Sequence, residues 1–175
     1  MKIIVDGEVK YSDWALKNGK IIKKQTSADI CTEIYLEHNG VYFPHYKWTD
    51  LTDSVIGMWM HHLSVNVDVK DVNFTMYFMD GSYRLDIFKD NNMHMTVNCV
   101  SSNTREENVD LTFQCDYIEF LQALYEANKS LNYLLYKNDL VDGRFKSVYN
   151  QTIITKNELK QLIKKLRTQG DDSVV

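Results

Sequence analysis

Five of the seven glycines in this chain directly follow Asp or Asn: Asp6-Gly7, Asn18-Gly19, Asn39-Gly40, Asp80-Gly81 and Asp142-Gly143. A two-residue type I′ turn needs positive φ at both central positions, and these dipeptides tolerate it best. Set between alternating apolar residues, each pair predicts a hairpin. The chain is thereby steered toward a succession of short antiparallel strands. Ile3-Ile4-Val5 is expected to turn at Asp6-Gly7 into Val9-Lys10-Tyr11. A second hairpin is expected at Asn18-Gly19, setting Leu16 against Ile21. Ile34-Tyr35-Leu36 turns at Asn39-Gly40 into Val41-Tyr42-Phe43, and Pro44 ends that unit because it has no N–H to give a ladder.

Residues 72–115 carry the strongest alternation. A turn at Asp80-Gly81 sets Phe78 against Tyr83, Met76 against Leu85 and Phe74 against Ile87, all on one face. Tyr77 then meets Arg84, and Thr75 meets Asp86, on the other. A three-residue loop, Asp90-Asn91-Asn92, places Met95 beside Ile87 and Val97 beside Leu85. Two-residue loops would bring His94 or Thr96 inward, since a one-residue slip flips every side chain. Val109, Leu111, Phe113 and Cys115 continue the apolar face. The expected core is Phe74, Met76, Phe78, Leu85, Ile87, Met95, Val97, Leu111 and Phe113, in a four-stranded antiparallel meander with one apolar and one polar face.

Three segments read as helices. The first runs from Thr49 to Leu63, capped by Thr49 or Asp50, with Asp53 in its first turn and Leu51, Val55, Met58, Trp59 and His62 as its apolar stripe. The second starts at Asp116 with Glu119 as capping-box partner, and buries Tyr117, Phe120, Leu121, Leu124, Ala127, Leu131, Leu134 and Leu135. Asp142-Gly143 suggests a short hairpin near Val141 and Phe145. The third helix, 156–168, opens on a capping box of Thr155 and Glu158 and holds Leu159, Leu162, Ile163 and Leu166. Lys164, Lys165 and Arg167 stand near its C-terminus, where the helix dipole favours cations. The expected whole is one α+β domain over residues 1–170, its mainly antiparallel sheet covered on one face by about three helices, with residues 171–175 as a frayed tail.

Composition narrows the function classes. A net charge of −4 argues against nucleic-acid binding, which needs a basic face to exchange for counterions. No apolar run approaches the ~18 residues that span a bilayer. Cys31, Cys99 and Cys115 are odd in number and widely spaced, giving neither a disulfide framework nor a zinc spacing, so a reduced, cytoplasmic protein is expected. His61 and His62 are adjacent, about 100° apart on a helix, and cannot both face one metal; the useful spacing is three or four residues. No nucleotide-binding or nucleophile-elbow string occurs. Neither catalytic residues, a cofactor nor a metal are expected.

The polar face of the meander is the richer candidate. Tyr77 and Phe88 stand there beside Arg84 and Asp86, with Asp110, Glu106 and Glu107 at the flank. Aromatic residues and Arg are enriched at protein interfaces and their hot spots, and an acidic flank suits a basic partner. Tyr77, Arg84, Asp86, Phe88 and Asp110 are therefore the expected contact residues. An alternative is a ligand-binding or enzymatic α+β domain with its pocket between sheet and helices.

The succession YFPHYKWTDLTDSVIGMWMHHL, then NFTMYFMDGSYRLDIFKD, then a third strand, resembles the small immunity proteins of bacterial polymorphic-toxin and contact-dependent inhibition systems. Many of those show an aromatic-Pro followed by a Trp-Asp helix, then a strand ending in an aromatic-x-Asp-Gly turn. The likeness spans roughly residues 42–100. It implies a cytoplasmic, non-enzymatic protein that binds and blocks one cognate toxin domain, and toxin nucleases of this kind tend to be basic.

Overall fold

The computed structural model describes residues 1–11, 30–102 and 106–171. The chain is α+β, with two antiparallel sheets and three α-helices among the described residues. The first sheet holds β1 (Lys2–Tyr11), β2 (Ile30–His38) and β3 (Val41–Phe43) in that order, and β4 (Thr49–Leu51) also pairs with β2. The second is the meander β5 (Val72–Tyr77), β6 (Tyr83–Lys89), β7 (His94–Ser102) and β8 (Glu107–Asp116), in chain order. Helix α1 (Thr52–Asn66) joins the sheets; α2 (Tyr117–Lys137) and α3 (Lys146–Asp171) follow the meander. One hydrophobic core takes side chains from both sheets and all three helices. Trp59, Leu85, Val97, Tyr117, Phe120, Leu131 and Leu159 are fully enclosed in it.

Backbone angles separate the Asp/Asn-Gly pairs. Among the described pairs, only at Asn39-Gly40 do both residues have positive φ, 52° and 80°, and there His38 closes on Val41 as a two-residue hairpin requires. At the other three described pairs, Gly7, Gly81 and Gly143 alone are left-handed. Asp6-Gly7 is therefore an irregularity inside a continuous strand. Pairing with β2 breaks after Asp6↔Glu33 and resumes at Lys10↔Cys31. The long partner strand β2 outcompetes the local turn, so the expected Asp6-Gly7 hairpin does not form. Asp142-Gly143 opens a short 3₁₀ turn, Gly143–Phe145, and not a hairpin. The hairpin expected at Asn18-Gly19 and the tail beyond Asp171 lie outside the described residues.

The meander forms with the expected face inward. Met76↔Leu85, Phe74↔Ile87 and Tyr77↔Arg84 pair as the alternation requires. The β6–β7 loop is longer than expected, with Ile87 opposite Val97 and Lys89 opposite Met95. The register thus shifts by two residues, which leaves every side chain on its expected face. Asp90 explains the wider loop: its Oδ1 accepts the N–H groups of Asn92 and His94 at 2.8 Å each, and Met93 turns at φ 68°. A second departure lies on β8. Cys99 pairs with Leu111 but Val100 with Val109, so Asp110 is an extra residue in a β-bulge. Beyond it Val109 leaves the core face and stands 61% exposed. Phe74 and Leu111 are half-buried at the core's margin, and the other seven expected core residues are buried.

The helices depart most at their starts. Thr49–Leu51 pair with Glu33–Cys31 of β2, so α1 begins at Thr52 with no side-chain cap. Its buried stripe is Thr52, Val55, Ile56, Trp59, Met60 and Leu63; Leu51, Met58 and His62 are only half-buried. Helix α2 begins as expected, with the Asp116 N–H bonded to Glu119 at 3.2 Å, and buries its whole expected stripe. Helix α3 starts at Lys146, so Thr155 is an interior residue and no cap. Val148, Thr152, Thr155, Leu159, Ile163 and Leu166 make one buried stripe. Asn128 of α2 donates to the Thr152 carbonyl at 2.7 Å, and Asn132 to its hydroxyl at 3.0 Å. These bonds fix the early turns of α3 against α2, where β-branched residues alone favour a strand.

Candidate interaction surface

The outward face of the meander is built in cross-strand rows. One runs Asn73, Phe88, Thr96, Gln114; the next runs Thr75, Asp86, Asn98, Thr112; the third begins Tyr77, Arg84, Val100. Tyr77, Arg84, Asp86 and Phe88 therefore share one surface, and Asp110 stands exposed at the bulge of the outer strand. Tyr77 and Phe88 are 51% and 41% exposed, which is high for large rings on strands. A shallow hollow of about 370 Å³ lies between Asn73, Thr75, Asp86, Phe88 and Asn98.

Arg84 is an organiser of this face. Its Nε–H donates to both Asp86 oxygens at 3.1 Å, while Nη1 and Nη2 donate to the two Glu107 oxygens at 2.9 and 2.8 Å. Asp86 also accepts the Thr75 hydroxyl at 2.9 Å. The bond to Glu107, then that to Asp86, holds the guanidinium firmly charged, and Arg84 in turn pulls the Glu107 carboxyl below its ordinary range. A guanidinium in a bidentate carboxylate pair is preorganised and fixes its neighbours. Two N–H groups of Arg84 remain outside these bonds, so any contact it makes with a partner is made from a fixed position. Asp86, Glu106, Glu107 and Asp110 outnumber Arg84 there, leaving the surface net negative among the described residues.

A clamp between the sheets positions this surface. Asp50, 2% exposed on β4, accepts the N–H groups of Met79 at 2.9 Å and Asp80 at 3.0 Å, in the loop joining β5 to β6. It also accepts its neighbour Leu51 N–H at 2.6 Å and the Trp48 indole N–H at 3.3 Å. Burial raises the Asp50 carboxyl above its ordinary value, and the four donors pull against that. Trp48 packs edge-on against Tyr83 with ring centres 5.0 Å apart. A side chain at Gly81 would strike the Tyr83 ring at 2.7 Å and approach Trp48 at 3.3 Å. One residue ahead of the loop, the Tyr77 carbonyl accepts the Trp59 indole N–H at 2.8 Å. The Trp-x-Asp and Phe-x-Asp-Gly segments of the sequence are thus two halves of one contact.

Sequence reasoning missed two features. Tyr35, Tyr42 and Tyr46 form a cluster on the outer side of the first sheet, with ring centres 5.1–5.8 Å apart. The signal was available: Tyr42 falls opposite the core residue Phe43 in the alternation. Lys89 was also missed. It is 1% exposed on the core face of β6, where Nζ donates to the Val67 carbonyl at 3.2 Å and lies 5.6 Å from the centre of the Tyr117 ring. Burial lowers its pKa, while Asp68, Asp90 and Asp71 oppose that.

The remaining chemical groups are quickly placed. Cys99 is buried and Cys115 half-buried; burial raises both thiols to about 12, which keeps them protonated and weakly nucleophilic. The His61 and His62 rings lie 6.0 Å apart at a steep angle, and among the described residues no group of three His, Cys, Asp or Glu side chains converges for a metal. No described helix is long and apolar enough to cross a membrane. No protein-family model matches this chain, and no curated protein or solved structure is significantly similar to it.

Proposed function

We propose that this protein works by binding, as an immunity-type protein that neutralises a cognate bacterial toxin domain by covering it. The observation that carries the reading is the outward face of the meander, where Tyr77 and Phe88 stand exposed on strands held by the Arg84–Asp86–Glu107 network. Large rings on rigid strands anchor an interface at low entropic cost. The surplus of carboxylates favours a basic partner and raises its rate of association. The competing enzymatic reading places its pocket between sheet and helices; between the meander and the helices that space is packed by Trp59, Leu85, Tyr117 and Phe120, which leaves the groove between β1 and α2 as its candidate.

The test is copurification from the native host, comparing wild type with Tyr77→Ala/Phe88→Ala. Both side chains point away from the core, so the pair removes contact area with little loss of stability. Capture of a basic toxin domain by wild type and its loss with the double variant is the expected result. Equal capture by both proteins would move the site elsewhere. Turnover of a small molecule by the isolated protein, with no protein partner, would refute the binding reading itself.

A further inference from the structure

A groove of about 980 Å³ runs between β1 and α2, lined by residues 1–6 on one side and by Glu119, Ala123, Glu126, Ser130, Tyr133 and Lys137 among those on the other. Within the described residues β1 pairs only with β2, so its second edge faces this groove. The ladder fixes which backbone groups point there. In an antiparallel sheet, alternate residues direct N–H and C=O to opposite neighbours. On β2 the Ile34 N–H donates to the Trp48 carbonyl at 2.7 Å and the Thr32 N–H to the Thr52 hydroxyl at 3.1 Å, both on the side away from β1. Glu33, Tyr35 and Glu37 therefore face β1 and bond with their partners Asp6, Ile4 and Lys2. Ile3 and Val5 must then aim N–H and C=O into the groove.

These two residues line the groove and are only 5% and 6% exposed. Backbone groups so enclosed are costly to leave without partners. An extended chain satisfies both residues at once, because its own donors and acceptors repeat at the same spacing. On the facing flank of α2, Ala123 and Ser130 are the two small residues that line the groove, with Tyr133 exposed beside them.

We infer that the groove takes an extended segment of a partner protein as an added strand on β1, with short side chains at the alternate positions that face Ala123 and Ser130 of α2. This is β-augmentation: main-chain bonds supply affinity and the helix flank supplies selection. It is a second site, sharing no lining residue with the meander surface, and it does not depend on what that surface binds.

The experiment uses amide exchange and chemical-shift mapping on the full chain. The probe is a capped octapeptide of alternating valine and threonine with a lysine at each end. In the free protein the Ile3 and Val5 amides should exchange faster than that of Ile4, which bonds to β2. Millimolar peptide should slow Ile3 and Val5 about tenfold and shift the amides of Ala123 and Ser130. Ser130→Arg, on a half-buried position outside the core, should abolish both effects and leave the rest of the spectrum intact. Three results would overturn the inference: Ile3 and Val5 as protected as Ile4 without peptide, no response of Ala123 and Ser130 to millimolar peptide, or a dimer in sedimentation that Ser130→Arg disperses, which would assign the groove to a second copy of the chain.

Discussion

Replacing Asp50 tests the clamp that holds the candidate surface in place. Asp50→Ala removes the acceptor for the Met79 and Asp80 N–H groups, the Leu51 N–H and the Trp48 indole. A hydrogen bond to a charged group contributes about 1.5–3 kcal/mol net. The two bonds that cross between the sheets set the scale, since that to Leu51 is local and that to Trp48 is long. Met79 and Asp80 are exposed, so water recovers part of the loss. Burial of the carboxylate offsets a further part, as its raised pKa records. The expected cost is about 3 kcal/mol. In urea, with a slope of ~2 kcal/mol/M, the unfolding midpoint should fall by about 1.5 M with the slope unchanged. Asp50→Asn keeps the shape but offers only one oxygen and should lie between wild type and Ala. The pH dependence adds a sign. A folded-state pKa above the unfolded ~3.9 means that the native protein binds the proton more readily. The stabilisation by Asp50 is then fullest below that value and declines as pH rises through the window above it. The gap between wild type and Asp50→Asn should narrow accordingly on going from pH 3.5 to neutrality. An Asp50→Ala midpoint within ~0.2 M of wild type would show that the contact between the sheets does not stabilise the fold.

Three more outcomes follow from burial. Leu85→Ala, at a fully enclosed position, should cost about 2–5 kcal/mol, and an unchanged melting midpoint would mean that the wrong face of the meander is inside. Lys89→Met should gain about 1 kcal/mol at pH 7 by removing an enclosed ammonium that, among the described residues, has no carboxylate in contact. Because the folded pKa of Lys89 is lowered, wild-type stability should rise with pH through the window ending near ~10.4, and urea curves at pH 7–10 should show that slope disappear in the variant. The Cys99 and Cys115 thiols, raised to about 12, should resist a disulfide reagent at pH 8 until the protein is unfolded; rapid labelling of either in the native protein would contradict their burial.

What was legible in the sequence is what short-range physics decides. The parity of the meander survives a loop two residues longer than expected, because Ile87 and Met95 must both remain inside. The second helix is legible from cap to stripe, since Asp116 and Glu119 act within one turn. Long-range pairing hides the rest. Asp50 reads as a helix cap from its neighbours, yet its partners Met79 and Asp80 lie 29 and 30 residues away. Asp6-Gly7 reads as a turn until the long strand β2 is available to pair on both sides of it. At the candidate site, alternation brings Tyr77, Arg84, Asp86 and Phe88 to one face, but it carries no sign that Glu107, across two strands, would take up the Arg84 guanidinium. The bulge at Asp110 is equally silent, because Val109 through Cys115 alternate without a break in the sequence.

The central claim is that the outward face of β5–β8 is where a basic toxin domain is held. Side-chain footprinting of the copurified complex tests it most directly, because Tyr77 and Phe88 both react with hydroxyl radicals when exposed, and both are exposed in the free chain. Binding there should protect these two rings together and leave Tyr42 and Tyr46, on the first sheet, as reactive as before. Protection of Tyr42 and Tyr46 with Tyr77 and Phe88 unchanged would contradict the claim.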